Sequence, residues 1–410
     1  MKLLVIIAIF QFSVAYGANN EKALSINCTA VNYSELVRCA ESSSTDIHVS
    51  RQKNKAAEKL EAAAGQWINP ELAVESISKG SGRIEQSATL FFNFSLGGKR
   101  NARMTEAKAQ YDRESTNSNL EIQNYRLSLM LAFYRLRHLQ SEIDIEQESV
   151  ATFSKIINQY QKRAALSPEQ DVSLSIFKMA LNDHQLGLSD LKSEFEKLLQ
   201  EVNSVTNIAR EVILKNLPVA LVSWPKIDPD VKNNESPQIK LAQADLNLAR
   251  SLKKQAVADS WPELKIGPTV QVNKENNESE NLQGFSLSMP LPVFSWNGGS
   301  RDYATQKVSE AEMNYNNTRN KISAHRSQLV TRYLNMTAAL KTSLSTKTLA
   351  EKHSKVEKQF FKGLVPSSLI IEAHRQLFDL ESRKNKSEIE ALESLGQVLI
   401  LDNKFSEVIL

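Results

Sequence analysis

Glycine and proline are scarce in this chain, with 13 glycines and 11 prolines among 410 residues. Together these 24 residues make up roughly 6% of the sequence, about half of their ordinary usage. Because the two residue types supply most tight turns and helix ends, their scarcity means few turns. The sequence therefore predicts long helices, although a chain of this length would ordinarily divide into two or three domains.

A strong bias of charge is also missing. The 50 lysines and arginines nearly balance the 47 aspartates and glutamates, which leaves a formal net charge of +3. This balance excludes the basic footprint of a protein that binds nucleic acid. The six histidines stand singly along predicted helices, without the carboxylate or cysteine partners of a catalytic or metal site. We therefore expect no enzyme activity, no metal site and no cofactor.

Long apolar runs are absent beyond the N-terminus. The apolar segment from Leu3 to Phe10, followed by Ala15 and Gly17 at cleavage-site positions, is typical of a secretory signal peptide at residues 1–17. No later window approaches the run of about 20 apolar residues that a membrane helix requires. A mature chain that enters a membrane must therefore do so as a closed barrel.

Cysteine occurs only at Cys28 and Cys39, near the start of the expected mature chain. Two cysteines are too few for a cysteine-based metal site. Export to an oxidising compartment would allow them to pair. The sequence leaves two alternatives open, a local disulfide or two free thiols.

Comparison of the sequence with itself indicates a tandem duplication. Residues 44–72 align with residues 236–264 without a gap, and Pro70-Glu71-Leu72 falls on Pro262-Glu263-Leu264. Further along, the Gly-Gly pairs at 97–98 and 298–299 correspond, as do residues 163–168 and 362–367. The predicted organisation is a first repeat at 18–216, a linker at 217–235 and a second repeat at 236–410.

The same patterns follow one another in each repeat. An amphipathic helical segment comes first, and the apolar period then drops to two, as in a β-hairpin with one apolar face. The predicted strands lie near 71–77, 86–96, 264–273 and 283–294. Strands of about ten residues with one apolar face fit a bilayer-spanning barrel, whereas a half-buried hairpin of a soluble protein is the alternative.

A helical period then runs from Gly98 to Ser167 in the first repeat, about 67 residues or roughly 100 Å of helix. Apolar residues at spacings of three and four mark coiled-coil seams, and the second repeat has the same pattern. Four strands per chain cannot close a barrel, since the smallest barrels use about eight. The sequence therefore predicts a mainly helical fold, with long helical hairpins forming a tunnel below a 12-stranded barrel built by three chains.

In several segments the sequence resembles the TolC-like outer-membrane factors of tripartite efflux pumps and type I secretion systems, and most closely their CzcC-like heavy-metal branch. The segments are Asn69-Pro70-Glu71-Leu72, Gly97-Gly98-Lys99-Arg100, Pro290-Leu291-Pro292-Val293-Phe294, Asn297-Gly298-Gly299, Leu166-Ser167-Pro168-Glu169 and Glu372-Ala373-His374-Arg375-Gln376-Leu377-Phe378. The resemblance covers essentially the whole mature chain.

This resemblance implies a homotrimer in the outer membrane of a Gram-negative cell, embedded in lipid and extending into the periplasm. It also implies a periplasmic adaptor protein and an inner-membrane pump, either an RND-type pump or an ABC transporter. The expected function is a passive exit duct, with heavy-metal cations as the cargo of the branch. The alternatives are a multidrug or type I secretion duct, or a periplasmic adaptor or coiled-coil structural protein.

Two features of the family can be carried over to individual residues. The turns between paired long helices are expected to contact the adaptor, although the first turn has Ala164 where relatives often have glycine. A constriction ring of acidic residues falls at Leu369 and Glu372, so only Glu372 is a pore candidate. The predicted adaptor contacts are Arg163, Ala164, Leu166, Ser167, Lys362, Gly363, Val365 and Pro366.

Overall fold

A computed structural model describes residue 28 and residues 30–79, 83–221, 223–229, 236–275 and 278–405. The predicted signal peptide at 1–17 lies outside the described residues, as does part of the predicted linker at 217–235. Over the described residues the chain is mainly helical with one small sheet, and the predicted fold class is confirmed. None of the described helices is long and apolar enough to cross a membrane.

The first repeat contains the predicted helix, β-hairpin and long helical hairpin, preceded by one short helix. The short helix, α1, is not predicted by the sequence pattern. Its elements are α1 (Tyr33–Ser43), α2 (Thr45–Ala64), β1 (Glu71–Lys79), β2 (Arg83–Ser95), α3 (Lys99–Gln161) and α4 (Pro168–Thr206). Helix α3 begins after Gly97 and Gly98, both with positive φ, and its 63 residues span roughly 95 Å.

The second repeat follows the same order. After the short helix α5 (Arg210–Lys215), which ends the first repeat, the elements are α6 (Pro237–Ala258), β3 (Glu263–Glu275), β4 (Glu278–Ser288), α7 (Gly298–Thr342), α8 (Thr346–Phe361) and α9 (Ser367–Leu401). Ser44 and Ser236, aligned in the sequence, are the N-cap residues of α2 and α6. The two repeats therefore begin their first shared helix at the same aligned position.

One arm of the second repeat differs from the prediction. The sequence predicts an uninterrupted arm equivalent to α3, but the helix breaks between Thr342 and Thr346. Ser343 is in extended conformation, and the Ser345 side chain accepts a hydrogen bond from the Thr348 backbone N–H. A serine that caps a new helix competes with continuation of the old one, which explains the break.

The strands form one antiparallel sheet in the order β1-β2-β3-β4, so that β2 and β3 join the two hairpins. The predicted fourth strand, 283–294, is wrong at both ends, because β4 begins at Glu278 and ends at Ser288. Pro290 and Pro292 have no backbone N–H to donate to a ladder, and they end the strand. At the β2–β3 junction, a Cβ on Gly267 would lie 1.9 Å from the Leu90 carbonyl oxygen, so only glycine fits there.

The apolar core lies in the helical part of the molecule. Its largest cluster surrounds Phe133, Tyr134 and Leu136 of α3, and a separate cluster around Phe153 and Phe177 lies near the ends of the long hairpins. The clusters of buried apolar side chains contain no strand residue among those described. The sheet therefore projects from a helical body without a core of its own.

Candidate functional site

The sheet exposes its apolar face. Along β2, exposed and less exposed side chains alternate, and the exposed set is almost entirely apolar. The neighbouring strands continue this face through pairs such as Phe92 with Ile266 and Ile266 with Leu287. The exposed apolar side chains are Leu72, Val74, Ile84, Leu90, Phe92, Phe94, Ile266, Val270, Phe285 and Leu287. Water disfavours such a continuous band, whereas the hydrocarbon region of a bilayer favours it.

The opposite face of the sheet is mostly polar. The Lys265 ammonium lies 2.5 Å from a Glu71 carboxylate oxygen, and the hydroxyl oxygens of Thr89 and Thr269 are 2.7 Å apart. Near the far end, Lys79 donates to Glu85 at 2.6 Å. Apolar side chains outside and paired polar side chains inside are the pattern of a transmembrane barrel with a wet interior.

Both edges of the sheet are open. Among the described residues, β1 pairs only with β2, and β4 pairs only with β3. Unpaired backbone N–H and C=O groups each cost several kcal/mol in hydrocarbon, so an open edge is not stable there. In hydrocarbon, such a sheet would need further strands to pair its two edges.

Three tryptophans lie at the end of the sheet that joins the helices. Trp67 precedes β1, Trp261 precedes β3 and Trp296 follows β4, and all three side chains are exposed. The Arg100 guanidinium lies 4.9 Å from the centre of the Trp67 ring. Tryptophan is favoured where hydrocarbon meets the headgroups of a bilayer. Trp296 thus lies at the same end of the sheet as Trp67 and Trp261.

The turns of the two long hairpins contain all the predicted adaptor contacts. We name residues 162–167, between α3 and α4, the first tip, and residues 362–366, between α8 and α9, the second tip. Leu166 and Val365 are half-buried, whereas the other predicted contacts are exposed. The first tip therefore presents polar and small residues, whereas the second also exposes the apolar side chain of Leu364.

At the first tip, side-chain caps fix the start of α4. Ser167 and Gln170 form a reciprocal capping box, and Pro168 occupies the first helical position of α4. The Arg163 guanidinium lies 4.7 Å from the centre of the Tyr160 ring. These contacts fix where α4 begins without any residue of positive φ.

At the second tip, backbone hydrogen bonds and a glycine fix the end of α8. Gly363 has φ +74°, its N–H donates to the Phe360 carbonyl, and the Leu364 N–H donates to the Gln359 carbonyl. This pair of hydrogen bonds is a Schellman motif, which favours glycine at the position of positive φ. Pro366 then precedes α9 and offers no side-chain cap. The aligned tips thus use different chemistry at equivalent positions.

Glu372 lies on the exposed side of α9, while Ile370 beside it is fully buried. Its carboxylate accepts hydrogen bonds from Arg375 at 2.7 Å and from Gln376 at 2.6 Å. These bonds, the one from Arg375 first, lower the pKa of Glu372. The candidate pore residue is therefore half-buried, and within one chain its charge is partly balanced by Arg375.

Cys28 and Cys39 are joined by a disulfide in the structure. Both residues pack against the large apolar cluster of α3, α4 and α9. The bridge attaches the chain before α1 to that helix, far from the sheet and from both tips.

A line of buried polar side chains, not predicted from the sequence, runs along α3 and α9. The Arg137 guanidinium donates to Glu388 at 2.6 Å, and a His138 ring nitrogen lies 3.0 Å from the same carboxylate. Burial lowers the pKa of His138 in spite of that hydrogen bond. For Glu388, burial alone would raise the pKa, but His138 and Arg137 outweigh it and lower the pKa. Polar residues at seam positions of the coiled-coil pattern could have indicated this buried polar line in the sequence.

The interpretation of the histidines as single, unrelated residues is wrong for three of them. The structure brings His184 of α4, His353 of α8 and His374 of α9 together beside Phe153 of α3, and all three are buried. We name them the histidine cluster. Residues so far apart in sequence carry no local pattern that could have revealed the cluster.

No family model matches the sequence. The nickel-cobalt-cadmium resistance protein NccC of Alcaligenes xylosoxydans xylosoxydans is 22% identical over 306 residues, which are 73% of this chain and 69% of that protein. The outer membrane channel CmeC of Campylobacter jejuni has a TM-score of 0.71 at 13% identity, over 92% of this chain and 86% of that one.

The open state of the Neisseria gonorrhoeae MtrE outer membrane channel is similar to the same degree. Its TM-score is 0.71 at 14% identity, over 91% of this chain and 89% of that one. The fold is therefore that of the TolC-like outer-membrane channels, and the resemblance found in the sequence is confirmed at the level of the fold.

Proposed function

We propose that this protein is the outer-membrane exit duct of a tripartite efflux system. The observation that carries the proposal is a single chain in which an apolar-outside, open-edged sheet continues into two long helical hairpins. The sheet has the surface of a barrel segment, and roughly 95 Å of helix is long enough to extend far into the periplasm. In this chain the TolC-like fold therefore has the surface chemistry that a membrane duct needs.

The proposed working form is a homotrimer. Three chains supply twelve strands, and the open β4 edge of one chain pairs with the open β1 edge of the next, which closes the barrel. The six long hairpins then form the helical tunnel below it. The polar face of the sheet lines the opening, and Trp67, Trp261 and Trp296 lie near the periplasmic boundary of the lipid.

The duct conducts passively, and other proteins select and drive the cargo. We assign the two tips to contact with a periplasmic adaptor, because they are the exposed turns farthest from the sheet. The adaptor links the duct to an inner-membrane RND-type pump or ABC transporter. Glu372, ten residues beyond Lys362 on the second hairpin, is the proposed acidic ring of the pore, with Arg375 moderating its charge. The proposed chain division is a signal peptide at 1–17, repeats at 18–216 and 236–410, and a linker at 217–235.

Divalent heavy-metal cations are the proposed cargo. The support is the similarity to NccC, whose name describes resistance to nickel, cobalt and cadmium. A strain lacking this protein should become sensitive to those cations and recover when the gene is restored. Sensitivity to dyes and antibiotics with unchanged growth on cations would assign the duct to multidrug efflux instead.

The duct itself is tested without reference to cargo. The protein should fractionate with the outer membrane, migrate as a heat-sensitive trimer on a semi-denaturing gel and form ion-conducting pores in planar bilayers. Crosslinking that gives only monomers or dimers in detergent would overturn the trimer. A periplasmic fraction without bilayer conductance would favour the adaptor or structural alternatives.

A further inference from the structure

The histidine cluster lies between the two long hairpins, close to their tips. The rings of His353 and His374 meet edge to face with centroids 4.3 Å apart, and the His184 ring is 6.4 Å from that of His374. His374 begins about 12 Å above Pro366 along the helix axis, at 1.5 Å per residue. The cluster therefore joins α8 and α9 to the α3–α4 hairpin two turns from the second tip.

Two of the three imidazoles have a carboxylate beside them. A His184 ring nitrogen, Nδ1, lies 2.6 Å from a Glu146 oxygen, and the His353 Nδ1 lies 3.8 Å from a Glu148 oxygen. A proton on either ring would thus have a negative partner from α3.

His374 is placed differently. Its Nδ1 lies 2.9 Å from the Ser149 hydroxyl, which itself donates its proton to the Ile145 carbonyl at 3.0 Å. We therefore assign the shared hydrogen bond to the His374 Nδ1–H. The His374 Nε2 then carries a lone pair, and it has no hydrogen-bond partner among the described residues.

The charged groups around His374 come from every helix packed against it. Helix α3 provides Glu146, which lies beside His184 of α4, and Glu148, which lies beside His353 of α8. Helix α8 also provides Glu357, whose carboxylate accepts a hydrogen bond from Thr152. The carboxylate and guanidinium on its own helix, Glu372 and Arg375, pair with each other on the exposed side. No ion pair of His374 occurs within the described part of the chain, so a second charge there would be uncompensated.

We propose that His374 is an acid-sensitive latch, which holds the α8–α9 tip region against the α3–α4 hairpin while neutral and releases it when protonated. Among the described residues, no group of three or more histidine, cysteine, aspartate or glutamate side chains is placed to hold a metal ion. The pH-dependent packing of His374 does not depend on the proposed function. Only the further step, that release of the tip region opens the duct, rests on it.

The sign of the effect follows from linkage. Burial, followed by the charges of His353 and His184, lowers the pKa of His374 to about 3 in the packed state. A solvated histidine has a pKa of about 6.5. Between these values the released state binds a proton that the packed state does not. Packing is thus fully favoured above pH 6.5 and weakens as the pH falls, and the ratio of released to packed molecules rises about tenfold between pH 7.5 and pH 5.5.

Hydrogen exchange of the full-length protein in detergent, corrected for the intrinsic pH dependence of exchange, tests the latch. Peptides from residues 348–380 should lose about tenfold of their protection between pH 7.5 and pH 5.5, while peptides from α2 and α6 keep theirs. His374→Phe retains an aromatic ring against Phe153 without a titrating nitrogen, and its protection should be equal at both pH values. His325→Phe, at an exposed histidine of α7, should respond like the parent.

Equal protection of the parent at both pH values would overturn the latch, as would a tenfold response that persists in His374→Phe. Should that variant lose protection at every pH, His374→Gln replaces it, because glutamine can still donate to Ser149 and does not titrate. A further check uses the unsubstituted protein alone. The protection of residues 348–380 against hydrogen exchange should fall about tenfold per pH unit below pH 6. Bilayer conductance at the same pH values is recorded separately. A pH response in exchange without any conductance would leave the latch standing and overturn the exit duct.

Discussion

The two long hairpins have the same order of elements but differ in helix continuity and in how many apolar side chains they bury. Helix α3 is continuous and buries apolar side chains along most of its length, whereas its counterpart is divided at 343–345. Helix α8 contributes no fully buried apolar side chain among its described residues. The first tip is held by side-chain caps, and the second by one glycine and a proline. The first hairpin is thus continuous and well packed, whereas the second is divided and buries fewer apolar side chains.

The largest expected effect on stability is at Phe153, which lies on α3 of the first hairpin. Its ring contacts the rings of Phe177, His184 and His374. Phe153→Ala should lower the free energy of unfolding by about 3–5 kcal/mol, because it removes a fully buried aromatic side chain. Phe361→Ala, at a partly exposed ring of the second hairpin, is the matched control and should cost far less. Urea unfolding in detergent measures both, and equal losses would remove the distinction between the hairpins.

The sheet should not share this asymmetry. Phe92→Arg in the first hairpin of strands and Phe285→Arg in the second each place a charge in the apolar outer face. Both should destabilise the membrane-embedded protein by about 2–4 kcal/mol, provided that the positions lie near the middle of the bilayer. Ser87→Arg, on the polar face, is the control. The yield of trimers in the outer membrane measures this effect. A loss of yield in only one of the two phenylalanine variants would contradict the equivalence of the two strand hairpins.

At the tips, a smaller effect should separate the two hairpins. Gly363→Ala should cost about 1–2 kcal/mol, because its φ of +74° is unfavourable for any residue with a Cβ, although a Cβ would meet no atom within 4 Å. Gly363→Asn should recover part of this loss, since asparagine tolerates positive φ. Ala164→Gly in the first tip should change stability little.

A bulky residue at Gly363 should also abolish export while trimer formation and membrane insertion persist. Export assays with Gly363→Trp measure this, with Ala164→Trp as the test of the first tip. Unchanged export in Gly363→Trp would remove the second tip from the adaptor contact.

The smallest expected change is electrical. Glu372→Gln should reduce the cation preference of trimers in planar bilayers and their block by multivalent cations. Because hydrogen bonds from Arg375 and Gln376 lower the pKa of Glu372, this preference should persist below the ordinary carboxyl range near pH 4.5. In Arg375→Gln the preference should disappear at a higher pH, since its main partner is gone. Unchanged reversal potential and block in Glu372→Gln would place that carboxylate outside the pore.

Local patterns predicted the parts of the fold that repeat along the chain. The apolar period gave β2 and α3 nearly to their ends, because a strand with one apolar face and a seam of spacing three and four are visible in adjacent residues. The break at Ser345 was not visible, because neither glycine nor proline marks it. The tips were found from interruptions of the helical pattern, and the structure adds that Gly363 alone needs a left-handed backbone.

Features that depend on distant residues could not be predicted. His184, His353 and His374 lie on three helices, and only the packing of the two hairpins brings them to Phe153. The salt bridge of Glu372 with Arg375 was within reach, since the two are three residues apart on one helix. The position of Glu372 away from the buried Ile370 followed from their offset along the helix, but its ion pair with Arg375 was overlooked.

The open edges of the sheet have a consequence for biogenesis. The helical body contains its own core and many contacts between neighbouring segments, so it can fold within a single chain. In the proposed trimer, the strands finish pairing only when other chains arrive, and until then two unpaired edges and an apolar face are exposed. The final step of folding is therefore a collision between chains, and its rate rises with their concentration. At low expression, half-folded monomers would accumulate and need protection from aggregation until partners meet.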